Sequence, residues 1–357
     1  MNKDDLEINV MMFGGRRCGK TSVLAAMQSC FENQFGKGNF IISTADTETL
    51  FAIEDKKEEI LAYFQDKGKK RSFVPDQNPT ENIMNYKFYI SLKHKHNGRI
   101  IINFIDYPGE WLSNQNKIKE LEALMKESHI ILVAIDTPHL MEGIGNTDPD
   151  TLGKFNNKRN YCGIISNMLK NNFSLGSEEP KKMILFIPLK CEKYYNKNQM
   201  DQVSHKVKKA YETTFNYLDG PNKKYCEVAI TPIFTLGCVE FNCFLRDEEG
   251  EIILDPNWKT PKEASYIFTD PIADKPNPKY CEQPLIYILC YIFERAREAK
   301  TRSAKKNSLF QNIAYLIGET FLKMPSAKDF INESKNIKEV LKKTGDGYTI
   351  INNPLDF

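Results

Sequence analysis

Short apolar runs and amphipathic stretches alternate along the chain, separated by polar, turn-forming segments. Ile8–Phe13 is a continuous apolar run of strand length. In Thr21–Phe35 the residues Leu24, Met27 and Phe31 share one side of a helix. A charged helix is expected over Asp46–Phe64. Phe88, Ile90 and Leu92 then alternate with polar positions, Asn97-Gly98 signals a tight turn, and Arg99–Ile105 runs back as the second arm of a hairpin. Further apolar runs at His129–Ile135, Met183–Pro188 and Val228–Leu236 are spaced by helix-like stretches at Lys154–Lys170 and Gln199–Tyr217. Apolar strands alternating with helices predict an α/β fold: a mostly parallel sheet with one antiparallel hairpin strand and helices on both faces.

Leu285–Phe293 reads as the last core helix of this unit. The expected layout is one large domain over residues 1–300, with inserts at about 36–79 and 239–280, and a C-terminal extension over 301–357. In the second insert Phe244–Ile253 predicts a β-hairpin. In the extension Leu309, Ile313, Leu316, Ile317 and Phe321 recur at helical intervals, so the extension is read as helical.

The candidate chemistry starts where the first strand ends. Phe13 is followed by GGRRCGKTS, in which Gly14 and Gly19-Lys20-Thr21 fit the template G-x-x-x-x-G-K-[S/T]. An apolar strand enters this loop and an amphipathic helix leaves it, which is the context of a P-loop NTPase. Backbone amides along Gly14, Gly15, Arg16, Arg17, Cys18, Gly19, Lys20, Thr21 and Ser22 are then placed to cradle phosphates. Lys20 reaches the terminal phosphates, and the Thr21 hydroxyl meets Mg²⁺. The hairpin's returning strand ends in Asp106-Tyr107-Pro108-Gly109. An acid at that position holds Mg²⁺ beside Thr21, and Gly109 offers its N–H to a third phosphate, so the next segment senses whether that phosphate is there.

Composition narrows the setting. Apolar and charged shares of 41% and 27% are ordinary for a globular chain of 357 residues. A net charge of +2 gives no global field, so no nucleic-acid or membrane partner is evident. The 9 cysteines are odd in number and scattered, which predicts reduced thiols in a cytoplasmic protein. The start, MNKDDLEINV, lacks the apolar region of a signal peptide, and Ile130–Ile135 and Leu285–Phe293 fall far short of the ~20 apolar residues of a spanning helix.

With these motifs in place the chain resembles the P-loop GTPases of the Ras-like and translation-factor (TRAFAC) class. That class also sets an antiparallel strand pair before its D-x-x-G. The phrase PGEWL, the long inserts and Glu282-Gln283-Pro284-Leu285 most resemble bacterial GTPases of the double-GTPase type, which are associated with multi-gene conflict or defence systems. The resemblance covers residues 6–300. It implies a guanine nucleotide (GTP or GDP) with Mg²⁺, and a protein partner within a multi-protein system.

It also implies further site residues. The [N/T]-K-x-D base box falls on Leu189-Lys190-Cys191-Glu192, where Lys190 matches and Glu192 stands in for the guanine-reading aspartate. A last base loop would lie at Thr235-Leu236-Gly237. The switch threonine is assigned to Thr80, whose other reading is a helix or turn cap. Glu110 occupies the position of the water-orienting glutamine. Arg16 points toward the third phosphate as an in-built arginine finger, or else is merely solvated; Arg17 faces outward. The function so implied is a Mg²⁺-dependent GTP-binding switch with slow hydrolysis. A nucleotide-dependent interaction module without useful hydrolysis and an ATPase are the alternatives.

Overall fold

The computed structural model describes residues 6–35, 40–65, 72–74, 82–92, 100–142, 150–172, 181–219, 222–270, 272–301 and 349–352. Its centre is an eight-stranded sheet. The first strand, β1 (Leu6–Phe13), feeds helix α1 (Lys20–Phe35) through the glycine-rich loop. Next come β2 (Phe40–Thr44), α2 (Thr47–Gln65), the two-residue β3 (Ser72–Phe73), and the antiparallel pair β4 (Met84–Leu92) and β5 (Ile100–Asp106). A 3₁₀ turn at Gly109–Ser113 leads into α3 (Gln115–Glu127), β6 (Ile130–Asp136) and α4 (Thr137–Met141). Helices α5 (Asn156–Asn160) and α6 (Cys162–Asn172) precede β7 (Lys182–Leu189), and α7 (Glu192–Asn196), α8 (Met200–Ala210) and α9 (Glu212–Asp219) precede β8 (Cys226–Ile230). The chain continues through β9 (Val239–Phe244), β10 (Ala264–Phe268), α10 (Gln283–Thr301) and β11 (Thr349–Asn352).

Across the sheet the order is β11-β8-β7-β6-β1-β5-β4-β2, with β8, β7, β6, β1 and β5 all parallel. Every residue of β5, β6, β7 and β8 is buried, as strands covered on both faces must be. Because successive side chains leave a strand on opposite faces, β1 feeds two cores. Ile8, Val10 and Met12 join the layer of α1 and α10, while Met11 and Phe13 join that of α3, α6, α8 and α9. The α/β arrangement expected from the alternating pattern is thus the one observed. Two edge strands were not foreseen: β2 pairs antiparallel with β4, and β11 pairs antiparallel with β8. The helical reading of Leu309–Leu322 lies outside the described residues.

Two helices expected to be continuous are broken. The stretch Lys154–Lys170 divides at Tyr161, which takes a left-handed φ of 51°. The break frees Asn160 to bridge to β6: its amide donates to the Asp136 carbonyl at 3.2 Å, and its side-chain oxygen accepts from the Asp136 N–H at 2.8 Å. The stretch Gln199–Tyr217 likewise divides at Tyr211, whose hydroxyl donates to the Asn160 carbonyl at 3.1 Å.

The two inserts meet. β3 from the first pairs with β10 from the second, and β10 pairs with β9, giving a three-stranded sheet apart from the main one. Within the stretch expected as a hairpin, only an isolated bridge between Arg246 and Ile252 forms; the strands proper are β9 and β10.

Candidate nucleotide site

The site gathers at the carboxyl ends of β1, β5, β6 and β7, where the loops leave the sheet. Lys20 begins α1 and is almost wholly buried, with its ammonium 3.2 Å from the Gly14 carbonyl and 3.4 Å from Asp106 Oδ1. Thr21 donates its hydroxyl to Asp106 Oδ2 at 3.1 Å, across 85 residues of sequence. Burial alone would strip Lys20 of its charge, but Asp106 outweighs it and the ammonium's pKa rises above the usual lysine range. Asp106 is itself fully buried at the end of β5, and its Oδ1 has no hydrogen-bond partner. A buried carboxylate oxygen in need of a partner, beside a threonine hydroxyl, is a hard-oxygen donor pair of the kind Mg²⁺ takes. Thr80, the third metal candidate, lies outside the described residues.

Close backbone approaches hold the loop in place. A Cβ on Gly15 would sit 2.2 Å from the carbonyl oxygen of Arg159, so α5 packs directly on the loop. A Cβ on Gly109 would sit 2.2 Å from the Arg16 nitrogen, so the turn after Asp106 rests on the same loop from the other side. Only glycine fits at either contact. Cys18 turns inward, and burial pushes its thiol pKa up in spite of the Lys20 charge, so this residue serves the loop through its backbone. Thr21 and Ser22 are half-buried in the first turn of α1.

Arg16 is half-buried and Arg17 exposed. Among the described residues Arg16 and Glu110 form no ion pair. The buried atoms Arg16 Nε and Glu110 Oε2 each lack a hydrogen-bond partner.

The two loops expected to read the base, at Leu189–Glu192 and Thr235–Gly237, lie together. Lys190 adopts a left-handed φ of 59° and donates to the Arg17 carbonyl at 3.2 Å, joining the β7 loop to the phosphate loop. Leu189, in place of a polar residue, is buried, and its methyl lies 3.8 Å from where a Cβ on Gly19 would be. Glu192 is buried at the start of α7 and accepts the Gly237 N–H at 3.2 Å, so the two expected base loops are in contact. Burial raises the Glu192 pKa to about 7, against the pull of the backbone donors around it.

Asp136, at the carboxyl end of β6, is a member of the site that sequence reasoning missed. Its Oδ2 accepts from Lys190 at 2.8 Å, and its Oδ1 lies 2.6 Å from His139 Nδ1. Arg159 Nε stands 3.7 Å from Oδ2, an ion pair too long for a hydrogen bond. Burial by itself would raise the Asp136 carboxyl, yet His139, Lys190 and Arg159 together hold it well below the carboxylate range. The available signal was the one that exposed Asp106: an acid closing an apolar strand, here followed three residues later by a histidine.

A comparison with protein-family models matches residues 8–232 to Double-GTPase 2, and that span holds every site residue just described except Gly237. The chain belongs to the Double-GTPase 2 family. This agrees with the double-GTPase resemblance seen in PGEWL. The family match ends shortly after β8, so the second insert, β9, β10 and α10 lie beyond it. A search of curated proteins finds no match to the chain. No helix among the described residues is long and apolar enough to cross a membrane.

Proposed function

We propose that the chain is a Mg²⁺-dependent GTP-binding switch that hydrolyses GTP slowly. Membership of a double-GTPase family supports guanine-nucleotide binding. The observation that carries the reading is the convergence of Lys20 and Thr21 on Asp106, at 3.4 and 3.1 Å, with Gly109 pressed on the loop at Gly15 and Arg16. In this reading the backbone amides from Gly15 to Ser22 wrap the α- and β-phosphates. Lys20 moves its charge from Asp106 to the β- and γ-phosphates, and Glu192 accepts from guanine's N1–H and amino group. When bound, Mg²⁺ would be held by Thr21 and Asp106, with Thr80 as third candidate, and would neutralise charge on the transferring phosphate.

Gly109 is the sensing element. Its contact with the Arg16 backbone means that a third phosphate entering the loop and the position of the 109–113 turn are not independent. Glu110 orients the attacking water less well than an amide would, because its charge faces the γ-phosphate; hence the slow rate. A protein partner would read the turn's position.

The lack of an ion pair between Arg16 and Glu110, whose Nε and Oε2 are each without a hydrogen-bond partner, favours one second reading, a module that uses nucleotide to set its shape and hydrolyses little. Identifying the nucleotide that co-purifies with the chain, and titrating GTP against ATP, tests the proposal. Bound GDP with GTP preferred supports a hydrolysing switch, and bound GTP that persists for hours supports the second reading. Equal affinity for ATP and GTP would overturn the guanine assignment.

A further inference from the structure

Beside the phosphate loop, under the small sheet, lies a cavity of about 50 Å³ in which His139, Arg159 and Tyr266 have no part in the nucleotide reading. Its walls are Arg17 of the loop, His139 of α4, Arg159 of α5 and Lys190, and it is closed by Tyr266 of the small sheet and by Lys262 just before β10. The positive charge here is only partly balanced. Asp136 lies beneath, with one oxygen taken by His139 and the other by Lys190. Glu263 is the other carboxylate at the cavity, and among the described residues Arg17 has no ion pair.

His139 adds a second requirement. Only 5% exposed, it stacks against Phe244 at 4.7 Å, and its Nε2 has no hydrogen-bond partner. Burial pushes the imidazole below its usual range against the pull of Asp136, so the ring is neutral. With Nδ1–H directed at Asp136, Nε2 is a bare acceptor. An unpaired acceptor so buried is costly until something donates to it. The ligand that satisfies both demands is an anion that still carries a proton.

We infer that this cavity is a second anion site, separate from the nucleotide's phosphate loop, that takes a hydrogen phosphate group. The oxygens face Arg17 and Arg159, and the P–OH donates to His139 Nε2. Sulfate has the same shape and charge but no proton at neutral pH, so it leaves Nε2 unpaired.

The test is equilibrium dialysis of inorganic phosphate against the full chain carrying Lys20→Ala, which removes phosphate binding in the loop and leaves the cavity intact. Phosphate binding is expected to persist, with sulfate competing at least tenfold more weakly. Arg159→Gln should weaken phosphate at least tenfold, and His139→Phe should erase the preference over sulfate. Phenyl phosphate separates the sources, since a monoester loses its second proton near pH 6. Competition at pH 6 but not pH 8 places a monoester in the site, and binding of inorganic phosphate alone places the free ion there. Loss of all phosphate binding in Lys20→Ala, or sulfate equal to phosphate in that same variant, would overturn the inference. The sulfate comparison needs no cavity variant, so it holds even if Arg159→Gln fails to fold.

Discussion

Lys190 donates from its ammonium to the carbonyl oxygen of Arg17 at 3.2 Å, and both residues hold left-handed backbone conformations, φ 59° and 56°. The contact joins the loop after β7 to the loop after β1, two strands separated in the sheet by β6. The same ammonium meets Asp136 at 2.8 Å, so one side chain spans three loops. Lys190→Met keeps the stem and removes the charge, leaving Asp136 with His139 and Arg159 alone. A loss of about 3 kcal/mol in urea unfolding is expected, partly recovered when Asp136→Asn is added. An unchanged unfolding midpoint would show that the bridge contributes nothing.

Lys20→Ala should abolish nucleotide binding while the chain stays folded, since Lys20 supplies the charge that meets two phosphates. It also frees Asp106 of its buried cation. A buried carboxylate left without its cation is costly, so stability should fall modestly. Undiminished GTP affinity in the folded variant would remove the phosphate-loop assignment.

Glu192→Ala should weaken GTP by about 2–4 kcal/mol with little effect on ATP, because guanine's two donors lose a charged acceptor. The raised pKa of about 7 adds a pH signature. Guanine selects the ionised carboxylate, so binding releases a proton, and GTP affinity should climb between pH 6 and 8 and then level off. Stability of the nucleotide-free chain runs the opposite way. A carboxyl whose folded pKa lies above 4.5 contributes fully below that value, and its contribution is lost as pH rises through about 7. GTP affinity that stays flat across this window would take Glu192 out of the base site.

Arg16 and Glu110 are a pair only through what binds between them. A carboxylate about 5 Å from a γ-phosphate, at an effective dielectric near 20, is repelled by roughly 3 kcal/mol. If Arg16 offsets that repulsion, Arg16→Ala slows single-turnover GTP hydrolysis about tenfold or more. The losses from Arg16→Ala and Glu110→Ala are then non-additive. A rate that is unchanged or faster in Arg16→Ala would mark the arginine as a bystander.

Gly109→Ala places a methyl 2.2 Å from the Arg16 nitrogen, a backbone atom that cannot step aside as a side chain would. The 109–113 turn must lift from the loop, at a cost of about 1–3 kcal/mol in stability. If that turn senses the third phosphate, as proposed, GTP and GDP affinities should converge. Preserved discrimination between GTP and GDP would place the sensor elsewhere.

The local conformation of this protein was legible in its sequence. The run Ile8–Phe13, the glycines from Gly14 to Gly19, and the strand ending in Asp106 each state their conformation through neighbouring residues alone. The layered α/β fold follows from the same alternation. Tertiary structure decided what local pattern cannot express. Nothing near Asp136 in sequence reveals that Lys190 will neutralise it, since the partners lie 54 residues apart and meet only when β6 and β7 pair. Ser72–Phe73 is too short to declare itself a strand, and it becomes one because β10 from the other insert presents an open edge to it. Helicity ran through Tyr161 on periodicity alone; a buried Asn160, bonded to Asp136, broke it. In each case propensity set a preference worth a fraction of a kcal/mol per residue, and a buried polar partner, costly to leave unmet, overrode it.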